Sequence, residues 1–459
     1  MELKGKKVLV VGLGKSGLAA ALFLRRRGAQ VTVSDVRSAE ALAKDIPALL
    51  DEGIMVETGG HGLLTFRRQD LIVVSPGVPL NTPELAQVRS FGLPVIGELE
   101  LAARFLNGKT LAITGSNGKT TTTALVGDIL RKAGFPTLVG GNIGVPVIGL
   151  IEQSTAETWS VLEVSSFQLE STQRFHPQIA IILNITPDHL DRHGTFENYA
   201  LAKERIFAAQ DEHDAVILNA DNARAAQAAA RSFAKVYFFS IEHSVLRGTW
   251  VENGFVVYRP GKDDPIEKIM PLSAIPLKGA HNVENVLAAV CAARLAGATV
   301  EQVRSGVEGF QAVEHRLEYV ATINGVEFYN DSKATNVDAT AKAITAFSNG
   351  IHLILGGKDK NSDYSQLAQL VRARVRAIYT IGSAAAKIES QLRGVVSILS
   401  CETLDHAVSA AASASRPGEV VLLAPACSSF DQFENYEQRG KVFKELVAER
   451  RGWNVWQRA

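Results

Sequence analysis

LAITGSNGKTTTT, residues Leu111–Thr123, is the stretch on which the fold turns. Leu111–Thr114 is a short apolar run of β type. A glycine turn follows, then Lys119 and four consecutive threonines, Thr120–Thr123. Beyond them Ala124, Leu125, Ile129 and Leu130 recur at helical spacing, and Gly134 stands where such a helix stops. Strand, glycine loop, Lys-Thr and helix make a phosphate-binding loop. Gly115 and Gly118 let the backbone aim its N–H groups at one point, and the helix start adds partial positive charge there. Lys119 is placed to reach the β- and γ-phosphates of a nucleoside triphosphate, and Thr120 to offer a hydroxyl to Mg²⁺. Only Ser116 and Asn117 separate the glycines, where the common NTPase loop has about four residues, so this is a variant of that loop.

Composition narrows the classes. A chain of 459 residues predicts two to four domains, each with its own core. Lys+Arg and Asp+Glu are both 48, and zero net charge argues against a general nucleic-acid or membrane-surface binder. Cys291, Cys401 and Cys427 lie far apart, so no disulfide framework or zinc knuckle is expected and a reducing cytoplasm is the simpler setting. Val8–Leu13 is too short for a signal peptide and runs directly into a βα pattern. No apolar run approaches the ~20 residues that span a bilayer.

Upstream of the loop, Lys6–Asp35 reads strand, glycine turn, helix, strand. Gly12-Leu13-Gly14-Lys15-Ser16-Gly17 follows VLVV and opens a helix that Gly28 ends; Asp35 closes the second strand. This matches a dinucleotide-binding unit with an acid set to meet a ribose hydroxyl, although the same geometry accepts any pyrophosphate. LIVVSPGV, Leu71–Val78, is a buried strand ending in the turn Ser75-Pro76-Gly77, at the sheet edge where open α/β folds bind ligands. Residues 1–97 therefore read as a nucleotide-binding domain.

Downstream, Asn142 sits in the turn cluster Gly140–Gly144. WSVLEVSS, Trp159–Ser166, holds Glu163 in an apolar run, where a carboxylate is expensive unless paired or metal-bound; Glu163 is thus a candidate Mg²⁺ ligand. The buried strand Ile179–Ile185 leads into Asp188-His189-Leu190-Asp191-Arg192-His193. On metal chemistry alone the aspartates suit Mg²⁺ better than the histidines, and the plain alternative is a polar loop with capping aspartates. Phe196–Ala209 reads as a helix, with Lys203, on its pattern alone, on a solvated face. After the strand Ala215–Ala220, residues 236–277 are β-rich with an Asn253-Gly254 hairpin turn. Asn282 stands before the helix Val283–Leu295, as its cap or as a contact to a purine.

In the last part of the chain three strand ends carry the polar side chains. Asn330–Asn336 (NDSKATN) follows Val326–Tyr329, Gly357–Lys360 follows Ile351–Gly356, and Ala424–Asp431 follows Val420–Leu423. Parallel sheets build sites at such ends. Cys427 has no identifiable base beside it and reads as a packed thiol.

Hydrolysis needs only the phosphate loop. A reaction that employs all three regions is activation of a carboxylate as an acyl phosphate, which an amine then attacks. An NAD(P)-dependent dehydrogenase explains the GxGxxG turn but leaves the loop and the last domain without a task. A folylpolyglutamate-synthase-like ligase gives no reason for the first domain.

From Val8 to the final helix the chain resembles the Mur ligase family. The family-level motifs are Thr114–Thr121, Asn142, Glu163, the Asp188-His189 turn, the His281-Asn282 helix start and His315-Arg316. NDSKATN and PACSSFDQFENYEQRG, Pro425–Gly440, are similar to its D-glutamate-adding branch, from which Tyr436 departs where phenylalanine is expected. The resemblance implies an α/β fold of three domains: a Rossmann-like UDP-binding domain over 1–97, a central P-loop ATPase-type domain over 98–309 with a parallel sheet and a small β-rich part, and a Rossmann-like amino-acid-binding domain over 310–459. It implies a cytoplasmic, monomeric ligase of peptidoglycan precursor synthesis that uses ATP and two Mg²⁺ sites to add D-glutamate to UDP-N-acetylmuramoyl-L-alanine, without nucleic-acid or membrane partners. Residue by residue, it implies that Gly14, Lys15, Ser16, Asp35, Arg37, Ser75, Pro76 and Gly77 meet the UDP moiety and Asn142 the muramoyl part. Gly115, Ser116, Asn117, Gly118, Lys119, Thr120, Thr121, Asn282, Arg316 and Asp331 meet ATP. Thr120 and Glu163 serve the first Mg²⁺, and His189 the second, against the oxygen-based preference for the aspartates. Lys203 is carbamylated, and Lys333, Thr335, Lys360, Ser429 and Tyr436 place D-glutamate.

Overall fold

The computed structural model describes residues 1–311 and 313–456 and contains three sheets. The first has five parallel strands in the spatial order Met55–Thr58, Gln30–Asp35, Lys7–Val11, Leu71–Val74, Val95–Gly97. Strand order reverses between Lys7–Val11 and Leu71–Val74, and a ligand crevice forms at the carboxyl ends of strands on either side of such a reversal. The interior strands LVV and LIVV are apolar without alternation because helices cover both faces. The edge strand Met55–Thr58 is only half-buried and carries Glu57 and Thr58.

The second sheet has nine strands. Lys109–Thr114, which feeds the glycine loop, lies between Ile179–Ile182 and Trp159–Glu163, so Glu163 and the chain after Ile182 flank the loop at the same carboxyl edge. Thr137–Gly141, Ala215–Asn219, Lys235–Ser240 and Gly248–Glu252 extend the parallel part. Phe255–Arg259 and Glu267–Pro271 then pair antiparallel. Asn253 and Gly254 both have positive φ and close the expected hairpin. The helix after the loop runs Lys119–Lys132, and its start is held open by Gly118 at φ +87°, where a Cβ would stand 2.3 Å from Asn285 Oδ1.

The third sheet orders its strands Glu318–Ile323, Val326–Asn330, Val420–Leu423, Ile351–Gly356, Val375–Ile381, Ser397–Glu402, parallel except for the first pair. Val326–Asn330, Val420–Leu423 and Ile351–Gly356 are consecutive neighbours, which brings their three polar ends side by side. The described chain divides into two compact units. One comprises Met1–Ala274 and Glu284–Gly309 and holds the first two sheets; the other comprises Ile275–Val283 and the chain from Phe310 on and holds the third.

Two local expectations are corrected. The helix expected at Val283 begins at Ala280, because Gly279, at φ +94°, offers its carbonyl to the N–H groups of Asn282 and Val283. Asn282 therefore lies inside the first turn and its amide donates to the Lys278 carbonyl at 2.7 Å, which is not a cap of the N-terminal N–H groups. The second concerns Lys203, expected on a solvated face. It is 1% exposed, because the helix Phe196–Glu204 packs this side toward the glycine loop.

Candidate active site

In the first unit the phosphate loop is closed by local and distant bonds. Lys119 Nζ donates to the carbonyls of Gly115 and Ser116 at 2.8 and 2.9 Å. Asn117 N donates to Asn184 Oδ1, and Asn184 Nδ2 returns a bond to the Asn117 carbonyl. Ser116 Oγ meets the Thr186 carbonyl and the Tyr199 hydroxyl. These bonds fix the shape of the loop.

Glu163 is 1% exposed at the end of its strand. It accepts from Thr120 Oγ1 at 2.7 Å and from Asn142 Nδ2 at 2.8 Å. A buried carboxylate and a hydroxyl thus face one another beside the loop. That pair of hard oxygens fits Mg²⁺. It also accounts for the carboxylate in the apolar run: the carboxylate is paired, as burial demands.

Lys203 Nζ donates to the Gly115 carbonyl at 2.8 Å and sits 4.5 Å from the Tyr199 ring centroid. Burial first, and the nearby Lys119 charge second, push the Lys203 amine well below its ordinary pKa, against the opposite pull of Asp188 and Glu163. His189 follows the next strand in a left-handed conformation, φ 51°, with its ring edge-on to Phe167 and 3.6 Å from the Asp188 carboxylate. His193, two positions after Asp191, is buried and bonds Glu170 and Ser166.

The first sheet forms a separate cavity of about 470 Å³, lined by Gly12–Ser16, Asp35, Arg37, His61 and Ser75–Val78. All eight positions expected there from residues 14 to 77 line it; Asn142 instead stands beside Glu163. Gly17 has no room for a Cβ, which would meet the Gly12 carbonyl at 2.0 Å, so the helix seats directly on the turn. Asp35 accepts from Leu13 N and from Arg37 through its backbone and guanidinium. Burial opposes the charged form, but the Arg37 side chain and these N–H groups overcome it and hold the Asp35 carboxyl down to about 2. A lowered folded-state pKa gives stability that is full above the ordinary Asp range and lost as pH falls through about 2. Asp35→Asn is expected to lower unfolding stability at pH 7 by about 1–2 kcal/mol, the half-exposed Arg37 limiting the figure. In urea melts at several pH values the difference from the parent protein should shrink toward zero near pH 2.

In the second unit Lys333 Nζ lies 3.6 Å from the Tyr436 ring centroid, and Thr335 N donates to the Lys333 carbonyl. Ser429 is buried on the neighbouring strand end, where Lys358 N donates to the Ser428 carbonyl at 2.9 Å and Ser428 Oγ donates to the Lys358 carbonyl at 3.0 Å; Lys360 stands exposed two residues beyond Lys358. Burial raises the Asp331 carboxyl to about 6 against the pull of Arg316. Cys427 is a packed thiol: it is fully buried, pushed up to about 11, and contacts the Tyr364 hydroxyl at 2.9 Å.

Sequence reading missed Asn184, Tyr199 and Asn285. A signal existed for two of them. Asn184 is an amide inside an apolar strand run, and Asn285 stands one turn after Asn282; Tyr199 carries none.

The arrangement defines a class: an α/β protein of three sheets whose central sheet carries a phosphate-binding-type loop flanked by a buried carboxylate and a buried amine. Three family descriptions match it in series: "Mur ligase MurD-like, N-terminal domain" over residues 6–97, "Mur ligase middle domain" over 113–293 and "Mur ligase, glutamate ligase domain" over 315–427. The chain is 70% identical over 459 residues, 100% of each chain, to the UDP-N-acetylmuramoylalanine--D-glutamate ligase of Acidobacterium capsulatum. It is 60% identical to the enzyme of that name in Koribacter versatilis, covering 97% of this chain and 98% of that one. Among solved structures, the fold matches a pseudomurein peptide ligase type C from Methanothermus fervidus (TM-score 0.61, 19% identity, 97% and 100% covered) and UDP-N-acetylmuramate-alanine ligase MurC from Thermotoga maritima (0.60, 20%, 97% and 99%). The chain belongs to the Mur ligase family.

Proposed function

We propose that the chain is an ATP-dependent amide ligase that joins D-glutamate to UDP-N-acetylmuramoyl-L-alanine in peptidoglycan precursor synthesis. Full-length identity of 70% to the Acidobacterium ligase carries this reading. The domains are 1–97 for the UDP-linked substrate, 98–309 for ATP and 310–459 for the amino acid. The enzyme acts as a monomer in the cytoplasm; no helix among the described residues is long and apolar enough to cross a membrane.

An oxygen of the alanyl carboxylate attacks the γ-phosphorus of ATP, the bond to the β-phosphate oxygen breaks, and ADP leaves. The acyl phosphate so formed is attacked at its carbonyl carbon by the D-glutamate amine, which loses a proton as inorganic phosphate departs. Lys119, released from its loop carbonyls, neutralises phosphate charge, and the loop N–H groups with Ser116–Thr121 orient the chain of phosphates. Asn282, Arg316 and Asp331 are the further residues assigned to ATP. Mg²⁺ lowers the charge barrier to in-line transfer. Thr120 and Glu163 would hold one ion, and His189 with Lys203 the other. Lys203 would ligate as a carbamate, formed when its neutral amine adds to CO₂ and releases a proton. The product offers hard oxygens where an ammonium has only donors. One N–H remains on that nitrogen for the Gly115 carbonyl. Gly14, Lys15, Ser16, Asp35, Arg37 and Ser75–Gly77 take the uridine diphosphate, and Asn142 the muramoyl part. Lys333, Thr335, Lys360, Ser429 and Tyr436 take D-glutamate, a cation and hydroxyls suiting its carboxylates.

A phosphate-release panel tests the substrate. Release is expected to require both UDP-N-acetylmuramoyl-L-alanine and D-glutamate. Equal or faster turnover with L-lysine, meso-diaminopimelate or L-alanine would overturn the assignment.

A further inference from the structure

Arg192 belongs to neither the cavity of the first sheet nor the loop set, yet it touches both neighbourhoods. It sits on the short helix Leu190–His193 that follows His189. Its Nη2 donates to the Val78 carbonyl at 3.0 Å, and its Nη1 reaches the Gly77 carbonyl at 3.4 Å. Those carbonyls belong to the turn that walls the first cavity. The same Nη2 pairs with Glu170 at 2.9 Å, whose other oxygen holds His193 Nδ1 at 3.1 Å. Both flanking groups are mostly buried, so solvent screens the pair only in part.

The other end of Arg192 fixes His189. The backbone N–H groups of Arg192 and His193 both donate to the His189 carbonyl at 3.1 Å. His189 is a non-glycine residue in the left-handed region, a conformation that persists only where its surroundings impose it. Phe167 completes the mount: the Arg192 guanidinium lies 5.1 Å from its ring centroid, His193 stacks on it, and His189 meets its edge. A shift of the Ser75–Val78 turn therefore moves the guanidinium, and through it the backbone that sets the His189 ring.

We propose that Arg192 is a positioning residue that couples occupancy of the first-sheet cavity to the placement of His189, so that the UDP-linked substrate and the metal–nucleotide complex each tighten the other's binding. This rests on the ligand assignments above. Such coupling is reciprocal by thermodynamic necessity.

Calorimetry on the full chain tests it: the Kd of UDP-N-acetylmuramoyl-L-alanine is measured with and without saturating Mg²⁺ and a non-hydrolysable ATP analogue. The parent protein is expected to bind the UDP substrate roughly 5- to 100-fold more tightly when the second ligand is present. In Arg192→Met each ligand alone should bind within about threefold of the parent, while the coupling factor falls toward one. A purely structural arginine would lower both affinities or the melting temperature and leave that factor in place. Arg192→Lys retains the Glu170 pair but lacks the fork for two carbonyls, and should give an intermediate factor. Unchanged coupling in a folded variant, an uncoupled parent, or the failure of both variants to fold overturns the proposal. Absence of any saturable binding of the UDP substrate to the parent would instead strike the functional reading itself.

Discussion

Replacing Lys203 with alanine is expected to lower the rate of phosphate release by roughly 10²–10³-fold while leaving a folded chain, the size found when one preorganised charge-stabilising group is removed. The amine is buried, its pKa is depressed, and it donates a hydrogen bond to the loop carbonyl of Gly115. A lysine kept for stability alone is an odd choice for that place, since burying the ammonium opposes folding. The proposed carbamate gives the buried amine a task. On that proposal turnover of the parent enzyme in CO₂-depleted buffer should drop and bicarbonate should restore it, with no such response in Lys203→Ala. Near-normal turnover of the variant at saturating Mg²⁺ contradicts the role. Removing the donor to Gly115 costs the fold about 1–3 kcal/mol at most, which a thermal melt separates from the kinetic effect.

Glu163→Gln is expected to have the second large effect, roughly a 10²-fold loss in kcat together with a raised Mg²⁺ requirement. The substitution keeps the volume and an acceptor for Thr120 Oγ1 but removes the charge, and it sets an amide NH₂ against Asn142 Nδ2. Magnesium titrations of initial rate give the answer. A half-saturating Mg²⁺ concentration equal to that of the parent would mean that Glu163 only holds Thr120 and Asn142 in place.

The sequence carried the fold well where local chemistry dictates it. The glycine loop, its strand and its helix stand where residues 111–134 place them, and the first βαβ unit follows its glycines. Glu163 was legible because a carboxylate in an apolar strand demands a partner. The burial of Lys203 was not legible in its helix pattern. The carbonyl it bonds lies 88 positions away, and a helix pattern does not reveal which tertiary surface will cover it. Asn282 misled because an amide before an apolar helix looks like a cap, whereas Gly279 had already set the start of the turn. Arg192 gave no signal at all: its carbonyl partners are 114 and 115 residues distant, and backbone carbonyls leave no trace in a sequence.

The acyl-phosphate ligation is tested most directly by isotope transfer. The enzyme is given UDP-N-acetylmuramoyl-L-alanine with both carboxylate oxygens as ¹⁸O, together with ATP, Mg²⁺ and D-glutamate, and the released phosphate is weighed by mass spectrometry. One ¹⁸O per phosphate is predicted, with the other retained in the new amide. Unlabelled phosphate, or labelled phosphate without any D-glutamyl product, would contradict the account.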